Sequence, residues 1–435
     1  MEGFCYFYSM NIETLHNYFL ESSGICTDTR KITPNCLFIA LSGDNFNGNT
    51  FAEEALSKGA YKVVIDQKAF HSDSKNMLLF EDSLETLQKL ASFHRRFLDI
   101  PIIALTGSNG KTTTKELINA VLSEKYNTTA TLGNLNNHIG VPLTLLSMNS
   151  ETEIGLVEMG ANHLKEIEGL CKIAKPDFGY ITNFGKAHLE GFGSIQGVIQ
   201  GKTELYSYLK ENKKTVFVNS NDPLQSRHSE GMKCIYFGQG DSNENLRMID
   251  DRNELHVGFK NREIQSHLIG SYNFDNIGAA IAIGSFFSIS EEQIKIAIEG
   301  YLPANNRSQM VQSGSNHIIL DAYNANPTSM LAALENFKQS DKKSKVLFLG
   351  DMFELGDETK KEHQEIVDYL ERNKLGTCFL VGENFYETIA KSTDIIRVKT
   401  FDDLKKTLAS MKIENSHLLI KASRGMALER ILDLI

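Results

Sequence analysis

The run ALTGSNGKTTTKE, which begins at Ala104, sets two glycines, a lysine and a hydroxyl at the spacing of a phosphate-binding loop. The apolar stretch ahead of it predicts a short strand, and the residues behind it open a helix. Backbone N–H groups at that helix N-terminus can then converge on phosphate oxygens. Gly107 and Gly110 let the chain curl close to the anion, with Ser108 and Asn109 between them. Lys111 would reach the outer phosphates as a point charge, and Thr112, followed by Thr113, would ligate the accompanying magnesium. The general pattern G-x-x-x-x-G-K-[ST] asks for glycine where this chain has Leu105, so the loop is a tighter G-x-x-G-K-T variant. A turn that merely caps a helix is the plain alternative. The order of strand, GKT and helix favours a nucleoside triphosphate.

Other polar groups end predicted strands, where ligands gather in open α/β sheets. Glu158 closes IGLVEM, His188 lies in ITNFGKAHLEGFGS just after another strand, and Lys202 follows in GVIQGKTELY. A carboxylate, an imidazole and the loop threonine suit one or two magnesium ions clamping ATP phosphates. Singly, each also fits a structural role: a helix cap partner, a satisfied loop histidine, a solvated helix lysine. Asn136 and Asn137 in NLNNHIGVPLT can donate to phosphate or sugar, although Asn-rich turns are commonly only turns. Further on, Asp321 ends HIILDAYNANPTSM and can accept from ribose hydroxyls while Arg307 meets phosphate. Asp351 in LGDMFELG repeats the strand-end acid, and Lys421, Ser423 and Arg424 follow the last strand; solvated loop charges are the alternative for these.

The elements that must position these groups fall into three blocks: 1–82, 83–313 and 314–435. In the first, CLFIALSG and YKVVID read as strands separated by the helical FAEEALSKGA. The second alternates the strands IGLVEM, FGYITN and TVFVNS with helical patterns from His163 and Ser194, which predicts a mostly parallel sheet with helices on both faces. Its later part, from DSNENLRM to SHLIG, alternates polar and apolar residues and reads as hairpins. The third repeats strand then helix five times, a small Rossmann-like sheet that ends in a closing helix. It carries no G-x-G-x-x-G after its first strand, so a nicotinamide cofactor is not supported.

Bulk properties exclude several classes. With 435 residues the chain exceeds one ordinary core, and its 41% hydrophobic and 23% charged composition is that of a globular protein with no stretch able to span a bilayer. The 45 Lys and Arg against 55 Asp and Glu leave a formal charge of −10, which argues against nucleic-acid or anionic-membrane binding. The start MEGFCYFYSMNIETL has no positively charged region ahead of an apolar core, so a cytoplasmic location is expected. Cys5, Cys26, Cys36, Cys171, Cys234 and Cys378 are scattered without C-x-x-C or zinc spacing and read as reduced thiols.

Together these segments resemble the Mur ligases of bacterial cell-wall synthesis, over nearly the whole chain. TDTRKITPNCLFIALSG is similar to the family's uridine-nucleotide domain. TGSNGKTTTKE, NLNNHIGVPLT, EMGANH, ITNFGKAHLEGFGS and the Lys202 segment resemble its ATPase domain, and DAYNANPTSM, LGDMFELG and KASRGMALE its acceptor-binding domain. The resemblance implies a three-domain α/β ligase using ATP and Mg2+, with Thr112, Glu158 and His188 at the magnesium sites and Lys202 carbamylated. It implies Asn273 and Asn276 near the adenine, and Arg307 and Asp321 at phosphates and ribose. It also implies Thr29, Arg30, Asn136, Asn137, Tyr323, Asn324, Asn326 and Asp351 as substrate contacts. DAYNANPTSM with LGDMFELG favours the member that joins D-alanyl-D-alanine to UDP-N-acetylmuramoyl-tripeptide, acting as a monomer. Two departures, Tyr272 and Asn49 where the family usually has histidine, touch the adenine and uridine contacts. The competing readings are folylpolyglutamate synthetase, a P-loop binding or regulatory protein, and a P-loop kinase.

Overall fold

The computed structural model describes residues 11–72, 74–240, 242–251, 254–303 and 306–435. Cys5 and Asp241, where the expected hairpin segment begins, lie outside them. The chain is mixed α/β and divides into two compact units. One holds the chain up to Leu105 with Tyr126–Gly160 and Glu166–Gly179; the other holds Thr106–Lys125, Ala161–Lys165 and Tyr180–Ile435.

In the first unit four short parallel strands lie in the order Ile25–Cys26, Leu37–Ile39, Lys62–Ile65 and Met77–Leu79. The helix Ala52–Ser57 between two of them buries Ala52 and Ala55 against Phe38, Val63 and Ile65. Asp82, expected near a domain boundary, is the N-cap of the helix Ser83–Leu98: its carboxylate accepts from Glu85 N at 2.6 Å. Farther along, Ile102–Thr106, Ile154–Glu158 and Thr128–Ala130 run parallel with Ile154–Glu158 in the middle. Ile102, Ile103, Ala104 and Leu105 are wholly buried, as a strand covered on both faces must be. Burial of the larger of these side chains stabilises by roughly 1.5–3 kcal/mol each.

The second unit opens with the helix Lys111–Ser123, whose N-cap Gly110 has φ +79°. Against it packs Asn273–Phe286, a helix apolar on nearly every side. At Gly284 an added Cβ would lie 2.4 Å from Val121 Cγ1, so the two helices meet closer than any larger residue allows. The strand Phe178–Ile181 enters this unit at Tyr180 and is followed by Thr215–Asn219 and Lys233–Gly238. Glu244–Asp250, Glu254–Phe259 and Arg262–Ile269 then form the expected antiparallel meander.

The C-terminal sheet orders its strands Gln309–Ser313, Asn316–Asp321, His417–Lys421, Lys345–Gly350, Thr377–Val381 and Ile395–Val398. All are parallel except the first, which forms a hairpin with the second. A boundary after residue 313 would cut that hairpin; the sheet begins at Gln309, because Gly314 supplies the φ +57° that the tight turn requires. The expected closing helix is instead two 3-10 segments, Arg424–Met426 and Leu428–Asp433, separated by Ala427 at φ +46°. Among the described residues no helix is long and apolar enough to cross a membrane.

Candidate active site

The phosphate loop is held open by backbone geometry that only glycine tolerates. Gly107 has φ +143°, and a Cβ there would lie 1.9 Å from Thr182 Oγ1; at Gly110 it would lie 2.6 Å from Asn276 Oδ1. The segment after Phe178–Ile181 braces the loop from below. Ser108 N donates to Asn183 O at 3.0 Å and Ser108 Oγ to Gly185 O at 2.7 Å. Asn109 N donates to Asn183 Oδ1 at 3.1 Å, while its carbonyl accepts from Thr182 Oγ1 at 2.6 Å and from Asn183 Nδ2 at 3.0 Å. Lys111 folds back over the loop, its Nζ 2.8 Å from Gly107 O. Thr112 is buried in the first helical turn and Thr113 is half-buried beside it.

Asn273 and Asn276 come together behind this helix and not at an open surface. Asn276 Oδ1 accepts from Thr114 Oγ1 at 2.9 Å, its Nδ2 donates to Asn273 Oδ1 at 2.7 Å, and Asn273 Nδ2 reaches Ile269 O at 2.8 Å. Both amides are thus engaged in positioning the loop helix. Tyr272, in the place of the family's usual histidine, hydrogen-bonds Ser308 Oγ at 2.8 Å. Asp321 accepts from Ser308 N at 3.2 Å and pairs with Lys421 Nζ at 2.5 Å. The Arg307 guanidinium lies 3.6 Å from the Tyr323 ring centroid, a stacked cation.

Lys202, on the helix Ile195–Glu211, is 1% exposed; its Nζ donates to Ala161 O at 3.1 Å and lies 5.2 Å from the Phe192 ring centroid. His188 stands at φ +53° as the residue before the short helix Leu189–Phe192. Its Nδ1 is 2.5 Å from Glu354 Oε2. That contact holds the Glu354 carboxyl below its usual range. In the first unit, Glu158 ends its strand 1% exposed and accepts from Asn136 Nδ2 at 2.8 Å. Asn137 turns the chain just before the helix Gly140–Leu146, its Oδ1 accepting from Ile139 N at 3.1 Å and from Gly140 N at 2.9 Å.

The remaining candidates divide between structural and accessible. Asn326 caps the helix Pro327–Gln339 in a reciprocal box with Ser329, and its Nδ2 donates to Asn109 Oδ1 at 2.7 Å. Asn324 is exposed and Tyr323 half-buried. Asp351 turns inward: its two oxygens accept from Asn384 N and Phe385 N, each at 2.9 Å, capping the short helix Glu383–Tyr386. Burial pushes its carboxyl up against those two N–H groups. Arg30 is exposed and forks onto Asp28, which it holds down at about 2. Thr29 opens the 3-10 turn that Asp28 caps. Asn49 is a buried hub, donating to Asp66 Oδ1 at 2.7 Å and accepting from Asp66 N at 3.0 Å. The amide donates through Nδ2 and accepts through Oδ1, so one side chain satisfies both the carboxylate and the N–H of Asp66.

Sequence reasoning missed Thr182, Asn183, Gly185 and Lys186, although the motif ITNFGKAHLEGFGS that holds them was in view; only its imidazole has an obvious chemical signature. Glu354, in a loop at φ +62°, and Glu362, at a helix start, were missed because such acids look like solvated charges. The glycine cradle and the buried Asn109 Nδ2, which has no protein partner, fit a phosphate donor set. Among the described residues no three His, Cys, Asp or Glu cluster to hold a metal. A loop hydroxyl such as Thr112 suits magnesium, which keeps waters and shares substrate phosphates.

Family models match three stretches of the chain: "Mur ligase family, catalytic domain" over 21–95, "Mur ligase middle domain" over 105–284 and "Mur ligase, glutamate ligase domain" over 306–424. The UDP-N-acetylmuramoyl-tripeptide–D-alanyl-D-alanine ligase of Bacillus subtilis (strain 168) is 36% identical, covering 95% of this chain and 93% of its own. The enzyme of the same name from Escherichia coli (strain K12) is 32% identical over 94% and 92%. Among solved structures, MurF from Acinetobacter baumannii superposes with TM-score 0.86 at 29% identity, covering 94% and 92%. MurF from Thermotoga maritima in complex with ADP does so with TM-score 0.84 at 26% identity, covering 96% and 97%.

Proposed function

The chain belongs to the Mur ligase family, and from that premise we propose that it is the ATP-dependent, ADP-forming ligase joining D-alanyl-D-alanine to UDP-N-acetylmuramoyl-tripeptide in peptidoglycan precursor synthesis. The observation that carries the reading is the bond from Asn326 in DAYNANPTSM to Asn109 of the phosphate loop. It joins the acceptor-type motif directly to the nucleotide site.

In the reaction, a terminal carboxylate oxygen of the tripeptide attacks the γ-phosphorus of ATP and the bond to ADP breaks. The amine of the dipeptide then attacks the acyl carbon, the C–O bond to phosphate breaks, and the amine loses a proton. Carboxylate and γ-phosphate repel each other, so the protein's task is neutralisation and alignment. Lys111 and the N–H groups at the start of Lys111–Ser123 supply positive potential where charge accumulates. Magnesium, when bound, spreads the phosphate charge, with Thr112, Glu158, His188 and Lys202 serving its sites.

Carbamylation of Lys202 by carbon dioxide would turn a cation into an anion that presents two oxygens to a hard metal. Its remaining N–H would keep the bond to Ala161 O. Thr29, Arg30, Asn136, Asn137, Tyr323 and Asn324 are read as contacts for uridine, peptide and dipeptide, with Arg307 and Asp321 at the nucleotide. The enzyme is read as a cytoplasmic monomer; the free thiols of Cys26, Cys36, Cys171, Cys234 and Cys378 suit a reducing compartment.

A coupled phosphate-release assay with UDP-N-acetylmuramoyl-tripeptide and a panel of dipeptides tests the reading. Release should depend on both the UDP-N-acetylmuramoyl-tripeptide and the dipeptide and be fastest with D-alanyl-D-alanine. A P-loop switch would hydrolyse ATP at one rate with or without dipeptide, and that result would sink the ligase.

A further inference from the structure

The segment Asn183–Lys186 has two sides within the second unit. Through Asn183 and Gly185 it holds the phosphate loop at Ser108 and Asn109. Through Lys186 it is held by two helices of the C-terminal sheet. Lys186 N donates to Thr328 Oγ1 at 2.8 Å, and Lys186 Nζ lies 2.6 Å from Glu362 Oε1 and 3.9 Å from Glu365 Oε2. Between these contacts the backbone is packed tight, since a Cβ at Gly185 would lie 2.8 Å from Asn109 Nδ2 and 3.1 Å from Thr328 Cβ. Glu362 is 2% exposed in the first turn of the helix Thr359–Asn373, whereas the Lys186 side chain is 41% exposed. A carboxylate so buried is costly unless a cation meets it. Lys186 therefore joins an otherwise disfavoured charge to the loop segment, and no step of the proposed chemistry uses either group.

We propose that Lys186 and Glu362 are a positioning pair that clasps the acceptor-side helices onto the strand-end segment, so that Asn326 meets Asn109 and sets the phosphate loop for transfer. The proposal rests on the ligase reading for its kinetic consequence but not for its geometry. The pair holds the acceptor-side helices and the strand-end segment in register in a way that a small displacement would undo: a misplacement near 1 Å at a reacting centre costs up to about a hundredfold in rate.

The test uses the full chain with Lys186→Met, Glu362→Gln and the charge exchange Lys186→Glu with Glu362→Lys. Each is assayed for phosphate-release kcat, for ADP affinity by calorimetry and for thermal midpoint. The two single variants should lose about tenfold or more in kcat and bind ADP several-fold more weakly. Lys186→Met should lower the midpoint, because it leaves the buried Glu362 carboxylate without its cation, whereas Glu362→Gln, which removes that charge and leaves a half-exposed lysine, should keep the midpoint within a few degrees. The exchange variant should recover a substantial part of both kcat and ADP affinity. Wild-type kcat and ADP affinity in Lys186→Met overturn the proposal, as does an exchange variant no better than the worse single one. Should wild-type protein show no acceptor-dependent release, the ligase reading fails, while ADP affinities across the same variants still decide the clasp.

Discussion

A methyl group at Gly107 has nowhere to go, with Thr182 Oγ1 1.9 Å from where it would stand and φ at +143°. Gly107→Ala should therefore destabilise by more than about 1 kcal/mol and weaken ADP binding at least about tenfold. Urea denaturation and ADP calorimetry check this; a stable variant with unchanged affinity refutes the cradle. Lys111 differs: it is half-buried, and its Nζ donates to the loop carbonyls of Gly107 and Ser108. Lys111→Ala should fold normally and lose about 10²–10³ in kcat, the usual effect of removing one donor from developing charge. Near wild-type ligation by that variant removes Lys111 from the mechanism. For Lys202, the protein in 13C-labelled bicarbonate should give a carbamate carbon resonance that Lys202→Ala lacks, and a short-chain acid should partly restore activity to Lys202→Ala. The glycines and Lys111 were legible because their spacing is a local code. Asp351 was legible as a strand-end acid and Asn273 only through the family resemblance, but neither in what it would face.

Elements follow the same division. Strands such as Ile102–Thr106 are local decisions that periodicity exposes in advance. The N-caps Asp82, Ser194 and Asn326, by contrast, read in the sequence as a domain boundary, the start of a helical pattern and a substrate contact. The hairpin Gln309–Asp321 and the 3-10 ending were not legible, since each depends on positive φ at Gly314 or Ala427 and on neighbours far along the chain. A buried histidine pair that spacing never announced ties the helix Ile12–Glu21 to Ser83–Leu98. His16 Nε2 is 2.9 Å from His94 Nδ1, and His94 Nε2 is 2.9 Å from Met148 O. Phe19, Phe93 and Phe97 surround the rings. Burial pushes His16 down to about 4 and lowers His94 as well. Because both are depressed in the folded chain, their contribution is complete above the unfolded value near 6.5 and is lost as pH falls toward the folded values. The slope is at most about 1.4 kcal/mol per pH unit for each histidine. Thermal midpoints between pH 7.5 and 4.5 should consequently fall less steeply in His16→Phe than in wild type; parallel curves would rule the pair out as an acid-sensitive tie.

At the scale of the molecule, the chain passes between its two compact units five times, at Leu105, Lys125, Gly160, Lys165 and Gly179. No flexible linker interrupts the first passage, which runs straight through the strand Ile102–Thr106 into the phosphate loop. Such repeated threading predicts that the units unfold together. Heating should give one transition, and ADP at a hundredfold its Kd should raise stability by about 2.7 kcal/mol and move that transition as a whole. Two transitions, of which ADP moves only one, would show the units to be independent. Family models meanwhile divide the chain into three stretches, which is the division of function and not of contacts.

By itself the sequence determined the alternation of strand and helix, the phosphate loop with its absent first glycine, and the family, because these depend on residue type at short range. Tertiary structure alone decided which polar side chains face one another. Asn326 meets Asn109 across 217 positions and Lys186 meets Glu362 across 176, distances at which spacing along the chain carries no information about direction. It also decided that Asp351 and Asn49 turn inward, since burial and the backbone N–H groups they must satisfy are set only once the sheets have packed.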